Sequence, residues 1–279
     1  MTNETKPRSH FFKSLFYIRR EFSQYAGGSV DLLLNDETGI AQLCFNHPEK
    51  KNAISGKMMV ELESVIEKLE KWKKGKGVLI YGADNNFCSG GDLDFARKTS
   101  SSEGGFKMAT FMQHVLGKLQ DLPVITVAFI EGSGALGGGA EIAMACDFRL
   151  MSNNPLTGIG FVHLKMGIIP AWGGNYMLQT IIGYQAALDL ITTAKILRAE
   201  EAKKIGLIND SIDSFNQAVD WLKERIKYDI SALRAAKLVA NKIRKRDMDI
   251  LDEEKNIFAP LWGGVANKTA LSTKIKHRL

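Results

Sequence analysis

The stretch "GALGGGAEIAMACDFRLMS", Gly134–Ser152, decides how this chain folds. Three consecutive glycines, Gly137–Gly139, lead into a run of small and apolar residues suited to a helix. "FRLMS" then reads as a strand. The first N–H groups of a helix have no intrahelical partner, and the helix dipole makes that end electropositive. Without side chains in the way, such amides can approach an anionic oxygen closely. A similar turn stands upstream in "FCSGGDL", Phe87–Leu93, again after a strand and before a helix. Two such turns, each giving one donor, would make an oxyanion hole. Taken alone, a glycine-rich turn fits packing or phosphate binding equally well. Neither stretch matches G-x-x-x-x-G-K-[ST], which argues against a nucleotide P-loop.

Around these turns the pattern is α/β. "SVDLLL" and "GIAQLCF" flank the polar turn "NDETG" and predict a hairpin. After the loop "NHPEKKNAISG", with Ser55 as candidate cap, Met59, Leu62, Val65 or Ile66, Leu69 and Trp72 recur at helical spacing and predict a helix over about 57–73. "GVLIYGA" and "PVITVAFIEG" read as buried strands with a helix over about 105–120 between them, and "GIGFV" as a further short strand. From Pro170 onward the chain reads almost wholly as helix, including about 216–227, 231–245 and 248–266. The expected organisation is an N-terminal arm (1–27), an α/β core (28–193) and a C-terminal helical subdomain (194–279).

The 279 residues carry a formal net charge of +6. Basic runs at Lys71–Lys76, Lys242–Arg246 and the C-terminal "KIKHR" lack aromatic interleaving or finger spacing. They read first as solvated helix faces and second as help for a phosphate-bearing ligand, so no nucleic acid is expected. No apolar run approaches the ~18 residues that span a bilayer, and no membrane is expected. Cys44, Cys88 and Cys146 are scattered in apolar contexts, which fits a reduced compartment without a disulfide frame or metal site. "RSHFFKSLFYIRREF", Arg8–Phe22, is basic and amphipathic. It suits a mitochondrial presequence, a membrane-surface helix or a helix docked on the body. Glu4 and Glu21 count against a presequence, so a docked or loose arm and a cytosolic location are expected.

"FCSGGDL", "GALGGGAEIAMACDFRLMS" and "GIIPAWGG", in this order, together with "HPEKKNA" at His47–Ala53, resemble the crotonase (enoyl-CoA hydratase/isomerase) superfamily from about Gly28 to the C-terminus. The resemblance implies a spiral of ββα units with a C-terminal helical trimerisation region, assembled as a trimer or a dimer of trimers. It implies a coenzyme A thioester as ligand. Carried over by motif position, the amides of Gly91 and Gly138 form the oxyanion hole. Lys51, Asn52 and Ala53 flank the CoA nucleotide, Ser89, Asp92 and Leu93 adjoin the CoA, and Lys274 reaches a CoA phosphate across a subunit interface. Asp92 reads as a helix cap rather than a reactant, and Cys88 as packing rather than a nucleophile.

Side chains decide which reaction such a site performs. A hydratase uses two carboxylates around one water. The first matches Glu141; the second belongs four residues before Gly167, where this chain has His163. Ordinary hydration is therefore disfavoured, and His163 is expected to face the acyl group. "FVHLKMGIIPAWGG", with "GGSVDL", "MACDFRLM" and "WGGVAN" at Trp262–Asn267, is similar to members of that superfamily that decarboxylate 2-carboxyacyl-CoA thioesters. This implies ethylmalonyl-CoA, and methylmalonyl-CoA second, losing CO2 without a cofactor to give butyryl-CoA or propionyl-CoA, as a clearance of carboxylase by-products. Loss of CO2 leaves an electron pair that delocalises onto the thioester oxygen, where the two amides receive it. Phe161 and Trp172 are candidates for an apolar wall that strips water from the carboxylate. Trp262 is either part of the acyl pocket or a break between helices. His163 either holds the carboxylate or returns a proton to Cα; Glu141 is the rival donor. The alternatives are an enoyl-CoA isomerase or hydratase using Glu141 alone, and a non-catalytic RNA-binding homologue.

Overall fold

A computed structural model of the protein describes residues 8–244, 255, 256 and 258–273. Its centre is a six-stranded sheet in the order β1-β2-β3-β4-β6-β9. β1 (Ser29–Asn35) and β2 (Ile40–Asn46) form the expected hairpin, antiparallel with Leu32 opposite Leu43. β3 (Gly77–Gly82), β4 (Ile125–Ile130), β6 (Phe148–Ser152) and β9 (Asp210–Ile212) continue from β2 in parallel. A second sheet of three short strands holds β5 (Ala135–Leu136), β7 (Ile159–Gly160) and β8 (Ile196–Leu197).

Parallel strands covered on both faces should be apolar throughout, and alternation sorts their side chains between two clusters. Val78, Ile80, Ala128 and Ile130 join the main core. There they meet α2 (Gly56–Lys71), α4 (Ser102–Asp121) and α5 (Gly138–Ala145), which supply Met59, Leu62, Met112, Val115 and Ile142. Leu79, Val127, Phe129 and Leu150 face the other way, onto Ala218, Leu222 and Ile226 of α9 (Phe215–Ile226). Ser55 caps α2 as expected, its side chain accepting from the Met58 amide.

The N-terminal helix α1 (Arg8–Phe22) lies against this body. Leu15, Ile18 and Phe22, at helical spacing, are buried, and the Phe22 ring meets Phe95 and Phe111 edge to face at 5.0 and 5.7 Å. Arg19 donates to Ser64 at 2.9 Å and lies 3.2 Å from the buried Glu63 carboxylate, and Lys107 pairs with Glu21 at 3.0 Å. The docked reading of this segment matches that packing.

Downstream of Pro170 the structure corrects the all-helical expectation. After α6 (Gly174–Ile182) and α7 (Tyr184–Thr193), β8 pairs with β7; after α8 (Ala199–Lys204), β9 extends the main sheet beside β6. Two- and three-residue strands exist by virtue of their partners and carry no periodicity to read. "GIGFV" is likewise a strand only at Ile159–Gly160, and a 3-10 turn, Val162–Met166, follows. Most of the expected helix over 248–266 lies outside the described residues; the final described helix is Val265–Ser272.

α10 (Ile230–Arg244) is tied to the sheet by a buried lysine. Lys237 donates to the Val124 carbonyl at 2.6 Å and to Asp147 at 2.7 Å, and the same Asp147 oxygen accepts from the Thr126 amide and hydroxyl at 2.7 and 3.0 Å. Removing one member of such a pair strands the other charge in a poor solvent. Lys237→Met is expected to lower unfolding free energy by about 3 kcal/mol, read from urea denaturation. A loss within the noise of an exposed lysine substitution would refute this.

Candidate active site

The two glycine turns meet. Cys88 bridges Ala135 in parallel, with the Leu136 amide donating to the Cys88 carbonyl at 3.1 Å. On its other flank the first loop pairs with Ile54: the Ile54 amide donates to the Gly90 carbonyl at 2.8 Å, and the Asp92 amide donates to the Ile54 carbonyl at 2.9 Å. Those contacts occupy the peptides either side of Gly91 and turn its own N–H away from Ile54. Gly138 is the first residue of α5, so its N–H has no intrahelical acceptor. Among the described residues neither amide donates to any protein group. Gly137, with φ 53 and ψ −123, holds a backbone shape that side chains oppose, and this aims the Gly138 amide.

The indole of Trp172 packs beside both glycines. A methyl group on Gly138 would sit 2.5 Å from its ring, and one on Gly91 would sit 3.9 Å away. The indole N–H donates to the Met108 sulfur at 3.3 Å, which fixes the ring plane. Gln113 holds the preceding segment by donating to the Ala171 carbonyl at 2.9 Å.

Glu141, one turn into α5, is 1% exposed. Its Oε2 accepts from the amides of Trp172 at 2.7 Å and Gly174 at 2.8 Å, and its Oε1 lies 3.0 Å from Nε2 of His163. Gly174 is required there, because a Cβ would stand 2.5 Å from the carboxylate. His163, on the 3-10 turn, is buried; its Nδ1 has no hydrogen-bond partner among the described residues. Glycine amides, imidazole and carboxylate therefore come together as the sequence expectation has them, with the carboxylate bound rather than free.

These groups line a mostly apolar cavity of about 120 Å³, with Ser89 and Asn267 also at its wall. Met108, Ile168, Ile169 and Phe258 contribute to its wall, as do Trp172 and Trp262. Phe161 does not line it: its buried ring stands 6.5 Å from the His163 ring, within the core. Trp262 lines the cavity and also lies in the turn before the final described helix. Its indole donates to the Thr99 carbonyl at 2.7 Å. Asn267 accepts from the Gly263 amide at 2.9 Å and donates to the Met166 carbonyl at 3.1 Å, joining this closing segment to the turn that carries His163.

The expected CoA-flanking residues divide. Lys51 is exposed and Leu93 lies at the cavity, 48% exposed. Asn52 is fully buried, accepting from the His47 amide and donating to the Ala83 and Asn86 carbonyls, so its side chain builds the loop. Ala53 is buried and its carbonyl meets Nδ1 of His47 at 2.8 Å. The Ser89 hydroxyl donates to the Lys50 carbonyl at 3.0 Å. Asp92 caps α3 (Leu93–Lys98) and pairs with Lys50 at 2.7 Å. Lys50 was missed in the sequence; Asp92 and Asp94 hold its ammonium above the usual lysine range. Lys51 and Asn52 both have positive φ, 51 and 56, which gives this loop a tight reversal. Lys274 lies outside the described residues. Burial pushes the Cys88 thiol up to about 12, which agrees with packing rather than nucleophilic use. Asn267 and Met108 were also missed, since nothing local marks a buried amide or thioether as part of a site.

Comparison with known proteins places this geometry. Residues 35–261 match the family model described as enoyl-CoA hydratase/isomerase. The chain is 42% identical over 267 residues to ethylmalonyl-CoA decarboxylase of Xenopus laevis, covering 94% of this chain and 88% of that protein. It is 41% identical over 266 residues to ethylmalonyl-CoA decarboxylase of Gallus gallus, covering 93% and 88%. Among solved structures, an enoyl-CoA hydratase/isomerase from Mycobacterium paratuberculosis superposes with a TM-score of 0.79 at 19% identity, covering 87% of this chain and 96% of that one. An enoyl-CoA hydratase from Bacillus halodurans gives 0.76 at 24% identity, covering 87% and 98%. With its paired glycine turns, capped cavity and matching family model, the chain belongs to the enoyl-CoA hydratase/isomerase family.

Proposed function

We propose that this protein is a decarboxylase of 2-carboxyacyl-CoA thioesters, with ethylmalonyl-CoA as its substrate and methylmalonyl-CoA as a second one. The observation that carries the reading is a pair of uncommitted backbone amides, Gly91 and Gly138, beside an imidazole where a hydratase would need a second free carboxylate. The relatives named as ethylmalonyl-CoA decarboxylases support the choice of substrate.

The thioester oxygen sits between the two amides. As the bond from Cα to the carboxylate breaks, its electron pair moves onto that oxygen, and donors already in position stabilise the charge without reorganising. Each amide of this kind is worth about 2.7–4 kcal/mol in a water-poor site. The apolar wall of Trp172, Ile168 and Ile169 withholds water from the departing carboxylate, which favours the charge-dispersed transition state. A cavity of about 120 Å³ suits a short alkyl branch. The oxyanion amides supply the electron sink, so the reaction proceeds without a cofactor. Hydration with two carboxylates lacks its second acid here: Glu141, held by the Trp172 and Gly174 amides, faces His163 at 3.0 Å instead. We further assign a trimer or a dimer of trimers and a cytosolic location. No helix among the described residues is long and apolar enough to cross a membrane.

The reading is tested by CO2 release from ethylmalonyl-CoA and methylmalonyl-CoA in the presence of chelator, with crotonyl-CoA hydration measured in parallel. Release of CO2 that persists in chelator, with negligible hydration, is expected; hydration without CO2 would overturn it. Gly138→Ala places a methyl group 2.5 Å from the Trp172 ring and displaces either the indole or the amide. A fall in kcat of about 10²–10³-fold is expected, the effect of losing one oxyanion donor. An unchanged kcat would show that this amide does not meet the reacting oxygen.

A further inference from the structure

Two indoles line the cavity, and both rest on one face of α4. Met108 takes the Trp172 N–H on its sulfur, and Gly105, three residues earlier, lies against Trp262. The two rings serve different ends of the space. Chain neighbours aside, Trp172 is the only group among the described residues within 4 Å of a Cβ built on Gly91, so Trp262 stands farther from that glycine. Trp262 is 5% exposed and tightly seated. A Cβ on Gly105 would overlap its Cβ and Cγ, so α4 meets this residue at a glycine, although glycine weakens a helix. The indole N–H donates to the Thr99 carbonyl at 2.7 Å, and the Phe258 ring packs on it at 5.4 Å. Gly263, with φ 73, is equally confined: a Cβ there would stand 2.5 Å from the Ser100 carbonyl, and its amide donates to Asn267 at 2.9 Å.

We infer that Trp262 sets the length of alkyl group that the cavity admits, with Gly105 as the residue that positions it. The inference rests on the acyl-CoA substrate of the proposed function and not on the decarboxylation step. A wall discriminates between chain lengths only if it does not yield. Other apolar lining groups yield more easily. Met108 is an unbranched thioether with several rotamers open to it, and Met166, Ile168 and Ile169 are only half-buried. Trp262 has α4 behind it, and its ring retreats only by breaking the Thr99 bond or moving the helix. With the thioester oxygen at Gly91 and Gly138, the alkyl end runs from Trp172 toward Trp262. The cavity is only about 120 Å³, so a chain longer by two methylenes meets that ring. A smaller side chain at 262 adds room at the end away from the amides and leaves Gly91, Gly138, Glu141 and His163 as they are.

Calorimetric dissociation constants for butyryl-CoA and hexanoyl-CoA test this without turnover. The ratio of the two constants does not depend on the fraction of active protein, so a partly unfolded variant still reports. Trp262→Leu is expected to shift the ratio toward hexanoyl-CoA by about 10-fold, since each of the two added methylenes is worth about fourfold when buried. Trp262→Phe is expected to shift it in the same direction by less. Phe129→Leu removes an aromatic ring from the cluster on the other side of the main sheet and is expected to leave the ratio as in wild type. An unchanged ratio in both Trp262 variants, or an equal shift in Phe129→Leu, would overturn the inference. CO2 release from ethylmalonyl-CoA is measured on the same preparations. Its absence in the wild-type protein would reject the decarboxylase reading, while the binding ratio would still decide the role of Trp262.

Discussion

The polar groups on one side of the cavity are referred to the carboxylate of Glu141, which α5 carries into the interior and leaves 1% exposed. A buried carboxylate is unfavourable unless its lone pairs are met. Here they are met by two backbone amides of the Trp172–Gly174 turn and by the imidazole of His163. The same helix begins with Gly138, whose amide is free, so the acid and the oxyanion donor are rigidly related through one turn of backbone. The turn held by Glu141 in turn sets the indole of Trp172 against Gly138. If the carboxylate were lost, α5, the His163 turn and the Trp172–Gly174 turn would lose their common reference. The arrangement is organised before any ligand arrives, which is the condition under which fixed dipoles act most strongly on developing charge.

The sequence and the structure agree where short-range chemistry decides. Ser55 and Asp92 cap helices as their types predict, the β1–β2 turn closes the expected hairpin, and the two glycine turns precede α3 and α5. Buried strands such as β3 and β4 are legible because both of their faces are apolar, though only the structure shows that α9 forms the second layer. What escaped is what depends on partners distant in the chain. β9 is polar at Asp210 and Ser211 and is a strand because Leu150 and Met151 lie beside it. Asn52 resembles a ligand-binding residue, yet all its hydrogen bonds are spent on the backbone of its own neighbourhood.

The candidate site was legible in its residue types and less so in its division of labour. Motif position brings Glu141 and His163 together, and the 3.0 Å contact bears out their proximity. That Glu141 is bound by amides 31 and 33 positions away cannot be inferred from types, because an amide N–H leaves no mark on the sequence. The one trace is Gly174, where any side chain would enter the carboxylate's space. Phe161 goes the other way: an aromatic type made it a candidate for the wall, but its ring packs in the core and does not line the cavity.

The far wall of the cavity has a separate origin. Trp262, Phe258 and Leu271 come from the end of the described chain, and are held by the Thr99 carbonyl, by Asn267 across to Met166, and by Arg97 donating to the Leu271 carbonyl at 3.2 Å. None of these attachments passes through Glu141 or through the free amides. The shape of the space and the groups that bear charge are thus encoded in different stretches of the gene product, with few residues in common. Substitutions in the closing segment can alter which side groups are admitted while the charge-bearing backbone stays in register. A fold wired in this way lets substrate range drift over evolutionary time without first dismantling the chemistry.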